Sequence, residues 1–175
     1  MHPQLAAILD FIRDHQKFAA PIVCALAFGE SLALVSLLIP ATVLLIGIGA
    51  LIGASGIDFW PIYLGAVLGA GLGDWLSYWL GCHYHAQIAR MWPLSKHPDL
   101  LPKGHAFFEK WGWPGVFIGR FFGPLRAVVP LVAGACEMPK GPFQVANWTS
   151  AIVWAALLLG PSALGLSQLR GLFEP

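Results

Sequence analysis

The chain has 175 residues, of which 57% are hydrophobic and only 11% are charged, and its formal net charge is +1. Because a soluble domain carries about a quarter of its residues as charged ones, this composition excludes an ordinary soluble protein. No basic run is present, which argues against nucleic-acid binding. The uncharged windows 31–57 and 141–169 each exceed the roughly 20 apolar residues that cross a bilayer. The sequence therefore predicts an integral membrane protein.

The first segment, residues 1–17, has apolar residues at helical spacing and charges elsewhere around the helix. The apolar positions are Leu5, Ile8, Leu9 and Ile12. This pattern predicts an amphipathic helix lying at the membrane surface, with an exposed helix packed along one stripe as the alternative. The charges in this segment argue against a cleaved signal peptide.

The rest of the chain divides into two membrane units within a single domain that spans residues 1–175. Apolar sequence fills 18–82, and a polar connector at 83–107 is followed by a second apolar stretch, 108–172. Because the connector carries Lys and Arg, the positive-inside rule predicts that it is cytoplasmic.

The two units share a pattern when the chain is compared with itself at a shift of 90 residues. "FGESLALVSLLIPATVL" (28–44) then lies over "IGRFFGPLRAVVPLVAG" (118–134), and in both copies a charge follows a glycine and a proline follows ten residues later. The matched pairs are Gly29 with Gly119, Glu30 with Arg120, and Pro40 with Pro130. We interpret this as an internal repeat.

Each unit is predicted to contain a broken hairpin followed by one transmembrane helix. The stretch from Trp113 to Lys140 is too short for two crossings, and Pro124 and Pro130 are expected to break any helix there, as Pro40 is in the first unit. Gly119 and Gly134 flank the second break. Irregular backbone at membrane depth must line a cavity, so we expect re-entrant hairpins. A hairpin plus one crossing gives units of inverted topology, a pattern typical of transporters.

Ionisable residues occur deep in the apolar sequence at Glu30, Asp74, Arg120 and Arg126. Each costs about 2.5–3.5 kcal/mol at the centre of a membrane helix, so we expect the four to meet in one wet cavity. Arginine binds carboxylate or phosphate bidentately, whereas the two acids can exchange protons. An alternative is that they form salt bridges that only hold the two units together.

Aromatic and cysteine residues have simpler interpretations. Most of the tryptophans fall near the predicted ends of spans, where an interfacial belt accounts for them; the eight are Trp60, Trp75, Trp79, Trp92, Trp111, Trp113, Trp148 and Trp154. The cysteines, Cys24, Cys82 and Cys136, are scattered singly and are interpreted as buried thiols.

One short motif, "GASG" (53–56), resembles the nucleophile motif of rhomboid intramembrane proteases, with Ser55 in the serine position. Such chemistry needs a histidine base, and 113–175 contains none. A glycine-rich turn is the better interpretation. We expect no enzymatic activity, no metal and no cofactor.

Three stretches together resemble the DedA family, whose shared region is also called the VTT or SNARE-associated domain. They are "GESLALVSLLIPATVLLIGIGALIGASG" (29–56), "GAGLGDWLSYWLGCHYH" (69–85) and "GRFFGPLRAVVPLVAGACEMP" (119–139). The third, which resembles the family's Gly-Arg-Phe…Pro-x-Arg…Pro…Ala-Gly signature, is long and specific.

The resemblance implies a polytopic protein of the bacterial inner membrane that translocates lipids, notably undecaprenyl phosphate or other phospholipids, coupled to proton motive force. It also implies that Arg120 and Arg126 bind the substrate and that Glu30 and Asp74 act in proton coupling or charge pairing. Many members have glycine and an acid after the first hairpin's proline, whereas Ala41-Thr42 (41–42) follows it here. This replacement removes one candidate proton carrier.

The sequence thus favours an all-α transporter for a phosphate-bearing lipid, with protons as a second partner, in either a monomer or a homo-oligomer. Two alternatives remain open at this point. One is a proton-coupled antiporter for small cations, which would depend on the acids rather than the arginines. The other is a non-transporting membrane assembly subunit, in which the charges only hold the repeats together.

Overall fold

The computed structural model describes residues 16–32, 45, 47–49, 58–84, 100–122 and 125–173. The helices are α1 (Gln16–Ser31), α2 (Phe59–His83), α3 (Leu100–Gly119), α4 (Leu125–Ala135) and α5 (Lys140–Phe173). The predicted all-α class is confirmed. The predicted amphipathic helix at 1–17, the first hairpin's Pro40 and the "GASG" turn lie wholly or almost wholly outside the described residues.

Helix α2 occupies the centre of the described structure, because it contacts α1, α4 and α5, while α3 contacts α4 and α5. The distribution of side chains on α2 is the reverse of the distribution on a helix that packs against the core of a soluble protein. Its buried face carries small and polar residues, and its exposed face carries large apolar ones, namely Trp60, Leu64, Leu68, Leu72, Trp75, Leu76 and Trp79. Water would disfavour such a surface, whereas lipid tails accept it.

Length and composition also agree with a membrane. In the described part of the chain, one helical segment, Lys140–Pro161 of α5, is long and apolar enough to cross a bilayer. Helix α2 has 25 residues, which at 1.5 Å per residue gives about 37 Å, more than the hydrocarbon core. The predicted crossing at 59–82 matches α2 in position and length.

Helices α1 and α2 pack with their backbones in contact along a glycine face of α2. A Cβ atom on Gly65 would lie 2.6 Å from the carbonyl oxygen of Ala20, and one on Gly73 would lie 2.6 Å from that of Phe28. Gly69 meets Cys24 in the same way. Small residues spaced four apart allow membrane helices to approach each other closely. It brings the carboxyl end of α1 to the level of the middle of α2.

Within 113–140, where the sequence predicts the second hairpin, the structure has the end of α3, a turn and α4. Helix α3 ends at Gly119, a turn follows at 120–122, and α4 runs back along α3. Gly119 packs against Val129 near the turn, and Gly104 packs against Val132 and Cys136 at the other end. A turn at 120–122 therefore interrupts the helices in this stretch, while the re-entrant hairpin stays a prediction.

The prediction that Pro130 breaks the helix is wrong. Pro130 lies inside α4 and is fully buried. A proline removes one hydrogen bond within a helix, and membrane helices tolerate that loss where neighbouring segments pack around it. Pro124, next to the turn, lies outside the described residues. A kink that the sequence did not predict occurs in α3 at Gly112, which has a φ of 52°, a conformation that glycine adopts without steric strain.

Helix α4 ends in a two-bond cap against α2. The amide of Met138 donates to the carbonyl of Ala133 over 3.0 Å, and that of Glu137 donates to the carbonyl of Gly134 over 2.9 Å. This is the Schellman arrangement, in which glycine usually occupies the left-handed position that Glu137 takes here with a φ of 54°. The hydroxyl of Tyr78 donates to the carbonyl of Met138 and so ties the cap to α2.

The glycine face of α2 gives a first prediction. Gly69→Ala should destabilise the protein by about 1–3 kcal/mol, since the new methyl group overlaps the backbone of α1. Gly160→Ala, a control on α5 where a Cβ meets nothing within 4 Å, should be neutral or stabilise by about 0.5–1 kcal/mol. Thermal unfolding in detergent measures both, and equal shifts would show that α1 and α2 are not in backbone contact.

The cap of α4 gives a second prediction. Glu137→Gly should raise the stability by about 1 kcal/mol, because glycine has no Cβ to clash in the left-handed conformation. Glu137→Ala removes the same charge but keeps the Cβ, so its stability should match that of the wild type. A rise of the melting temperature in both variants would trace the effect to the charge rather than to the backbone.

Candidate functional site

The four ionisable residues singled out by the sequence come together in the interior. Glu30 is near the end of α1, Asp74 lies within α2, Arg120 follows the end of α3, and Arg126 lies in the first turn of α4. They are 8%, 3%, 3% and 7% exposed, respectively. Residues up to 96 positions apart in sequence thus meet in one buried cluster, which we call the charge quartet.

Arg120 and Asp74 form the first ion pair, with Nη2 of the arginine 3.0 Å from Oδ2 of the acid. Nη1 of Arg120 donates to the carbonyl oxygen of Asn147 at 2.9 Å, to its side-chain Oδ1 at 3.2 Å, and to Oγ of Ser150 at 2.9 Å. The guanidinium of Arg120 therefore joins α2 to α5, because its terminal nitrogens contact a carboxylate of α2 and neutral oxygens of α5.

Arg126 and Glu30 form the second pair, with Nη1 of the arginine 2.9 Å from Oε1 of the acid. Nη2 of Arg126 also donates to Oγ of Ser31 at 3.4 Å. Ser31 is tied to α2, because Ser77 donates its hydroxyl to the Ser31 carbonyl at 3.2 Å. The second pair thus joins the end of α1 to the start of α4.

The two pairs act as one electrostatic unit. Asp74 interacts with both arginines, and Arg120 interacts with both acids. Two acids and two arginines give a formal net charge of zero, which lowers the cost of burying them. A neutral quartet can persist in the interior, whereas any one of its members alone could not.

Part of the hydrogen-bonding capacity of the quartet is unused. Nε of Arg120, Nε of Arg126 and Oδ1 of Asp74 are buried and have no hydrogen-bond partner among the residues that the structure describes. Buried polar groups in proteins are almost always satisfied, so each such atom calls for an explanation. Within the described part of the chain, each guanidinium thus keeps one unused donor, a group for which a carboxylate or another oxyanion is a suitable acceptor.

Helix α5 supplies three site residues that the sequence did not identify. Asn147, Ser150 and Trp154 follow one another at spacings of three and four, so they lie on one face of the helix. Asn147 also donates its side-chain amide to the carbonyl of Gly71 at 2.9 Å, which fixes α5 to α2. The available signal was an asparagine and a serine three residues apart within an uncharged apolar stretch.

Trp154 is not part of an interfacial belt, so that prediction is wrong for this residue. It is 6% exposed, and its ring centroid lies 3.9 Å from Cζ of Arg126. Trp148 also packs inward, with its ring against Gly71. By contrast, Trp60 and Trp79 lie towards the two ends of α2, are exposed and stay compatible with the belt, whereas the exposed Trp75 lies near the middle of the helix. The physical reason is that an indole ring fits equally well against head groups and against a buried cation.

Of the residues predicted to break the hairpins, one lies at a helix end, two lie inside a helix and two are outside the described residues. Gly119 is the last residue of α3, next to the turn that precedes α4. Gly134 lies inside α4, where a Cβ would overlap the backbone of Tyr78, so it serves the contact between α4 and α2. Pro130 is within α4, as described above, while Pro40 and Pro124 are not among the described residues.

The bond between Ser150 and Arg120 gives a third prediction. Ser150→Ala removes one buried hydroxyl that binds a cation, so we expect a loss of about 1.5–3 kcal/mol in stability. Thr149→Val is the control, because the hydroxyl of Thr149 is exposed and bonds only to carbonyls of its own helix. Thermal unfolding should separate the two variants, and a matching small effect in both would remove Ser150 from the site.

Comparison with known proteins identifies related sequences over most of the chain. A family model described as the VTT domain matches residues 39–164. The Escherichia coli inner membrane protein YabI is 36% identical over 161 residues, which is 91% of this chain and 63% of the relative. The E. coli inner membrane protein YghB is 30% identical over 141 residues, or 78% of this chain and 63% of the relative.

An uncharacterized membrane protein of Buchnera aphidicola is 32% identical over 157 residues, which is 90% of this chain and 62% of the relative. The chain thus spans somewhat less than two thirds of the length of the curated relatives that it matches. No solved structure matches the chain significantly.

Proposed function

The chain belongs to the VTT-domain family of bacterial inner-membrane proteins, also called the DedA family, and on this basis we propose that it transports a phosphate-bearing lipid. The head group would cross between leaflets through the protein while the apolar tail stays in the bilayer. Undecaprenyl phosphate and common phospholipids are the two substrate classes that the resemblance to the family suggests.

The observation that carries the proposal is the charge quartet itself. Charged residues inside a membrane protein mark substrate or ion paths far more often than they stabilise the fold. A guanidinium presents two parallel N–H groups that match two oxygens of a phosphate. Two such forks, each with a buried Nε that has no hydrogen-bond partner among the described residues, suit an anionic head group better than a cation.

The proposed binding step is an exchange of anions. A phosphate oxygen takes the place of a carboxylate oxygen at Nη1 of Arg126, and Glu30 is released. Because a released carboxylate in this environment is costly, it takes up a proton or turns to water. Asp74 would be displaced from Arg120 and would take up a proton in the same way. Return of the carboxylates expels the phosphate and the protons together, which would couple lipid movement to a proton gradient.

The proposed path lies between two inverted units, each with a broken hairpin. The turn at 120–122 separates α3 from α4 directly beside Arg120, so the arginine sits where the helix is interrupted. Inverted repeats with such breaks place binding sites near the middle of the membrane. Small movements of one unit against the other would then open the quartet to each leaflet in turn.

One observation favours the alternative of a non-transporting assembly subunit. Both arginines are already paired with an acid, and the pairs join α1 to α4 and α2 to the turn after α3. If pairing were their whole function, the order of the charges within a pair would matter little. The double variant Glu30→Arg with Arg126→Glu would then behave like the wild type in every assay.

Transport by the quartet gives a fourth prediction. In vesicles of phosphatidylcholine that contain either a fluorescent phosphatidic acid or a polyprenyl phosphate, Arg126→Ala should lower the rate of head-group movement about 100-fold or more. The reason is that two charge-assisted hydrogen bonds to the phosphate are lost. Lys110→Ala removes an exposed cation from α3 and should keep the wild-type rate.

Two further variants separate the possible explanations of that result. Glu30→Gln with Arg126→Gln keeps a hydrogen-bonded neutral pair, so it should fold normally but lack transport. If this double variant or the charge-reversed pair moves lipid at the wild-type rate, lipid transport through the quartet is refuted. Loss of activity on changing the acids alone, with both arginines dispensable, would instead identify a cation antiporter.

A further inference from the structure

The contact between Trp154 and Arg126 carries an inference beyond the quartet, and it rests on the proposed function. Trp154 comes from the buried face of α5, and its ring centroid lies 3.9 Å from Cζ of the guanidinium. We propose that Trp154 positions Arg126 for phosphate, because it holds the face of the guanidinium while the partners at its edge are exchanged.

The geometry separates the face of the guanidinium from its edge. An aromatic ring attracts a cation through the ring's negative face, and the 3.9 Å between Cζ of Arg126 and the ring centroid is the spacing expected where a ring lies against the face of a planar cation. Hydrogen bonds to acceptors lie in the plane, and here they run to Glu30 and Ser31. Replacing a carboxylate by a phosphate changes only the in-plane contacts, so the contact with Trp154 can persist through the exchange.

The same face of α5 holds both arginines without adding any charge. Arg120 receives neutral acceptors from Asn147 and Ser150, and Arg126 receives the ring of Trp154. A carboxylate in any of these positions would compete with a phosphate for the cation. Neutral partners instead keep each guanidinium in place and leave its positive charge available to a ligand.

The arrangement also favours one class of ligand. The ring covers one face of Arg126, whereas its Nε has no hydrogen-bond partner among the described residues. The open side of the group therefore lies in its plane, where one ligand can bind Nε and Nη2 with two oxygens, next to the Nη1 position that Glu30 leaves. Trp154 thereby selects for an oxyanion presented edge-on.

The ring of Trp154 is packed among residues of three helices. It belongs to a buried cluster in which Val23 of α1, Ile62 of α2 and Ala151 of α5 also take part. Helices from both predicted units thus fix the ring. A ring held in this way gives Arg126 a defined position even when Glu30 has left it.

The experiment compares Trp154→Leu with Trp154→Phe in the full chain. With phosphatidic acid in phosphatidylcholine vesicles, Trp154→Leu should raise KM about tenfold and change kcat by less than about twofold, while Trp154→Phe should lie between it and the wild type. Inorganic phosphate should protect the detergent-solubilised protein from thermal unfolding, and Trp154→Leu should need about tenfold more phosphate for the same protection.

Trp60→Leu is the matched control, because Trp60 is exposed at the start of α2 and its ring contacts Phe59 and Tyr63. It should keep the wild-type KM and the wild-type response to phosphate. If the wild type responds to phosphate and Trp154→Leu responds equally well, the role of Trp154 is overturned while the proposed function stands. If the wild type neither moves the lipid nor is protected by phosphate, both are overturned.

A second measurement keeps the shape of the side chain and so avoids effects on folding. Fluorinated tryptophans introduced at position 154 weaken the negative face of the ring step by step without removing it. KM should rise progressively with the number of fluorine atoms. A KM that stays constant across the series overturns the inference, as does a kcat that falls while KM is unchanged.

Discussion

The structure depends on the mutual neutralisation of two buried arginines by two buried acids. Each residue of the quartet comes from a different segment: Glu30 from α1, Asp74 from α2, Arg120 from the turn after α3, and Arg126 from α4. Apolar packing alone would leave many relative positions of these segments nearly equal in energy, since lipid and helix surfaces are similarly apolar. Because each buried charge must pair with an opposite charge, most of these relative positions are excluded.

Glycine faces make that neutralisation geometrically possible. The arginine and acid side chains reach one another only if the helices that carry them lie very close together. Gly65, Gly69 and Gly73 bring α1 against α2, and Gly81 with Gly134 bring α4 against the same helix. On α2 most of the large side chains point outward to the lipid, so along this helix backbone contact replaces much of the side-chain interlocking that holds a soluble core.

The sequence was sufficient to identify the four charged residues, the helical class and an interruption of the helices within 113–140. It did not identify the uncharged residues of the site. Charges in apolar sequence are conspicuous because their burial is costly, which is why Glu30 and Arg126 could be recognised. Which acid pairs with which arginine depends on helix rotation, and periodicity in an almost uniformly apolar helix does not report rotation. Asn147 and Ser150 carry no charge, so they resembled ordinary members of a membrane span. Pro130 was misread because a proline's effect depends on what surrounds it.

The glycine face between α1 and α2 has a consequence for how α1 is held along its own axis. Backbones that touch through glycine have few side chains to interlock, so little in the contact itself resists sliding of one helix along the other. The position of α1 along its axis is fixed instead at its carboxyl end, by the Ser77–Ser31 hydrogen bond and by the ion pair of Glu30 with Arg126. In the proposed exchange, an anion that takes the place of Glu30 would release this axial restraint, so that α1 becomes freer to shift along its axis when the site is occupied.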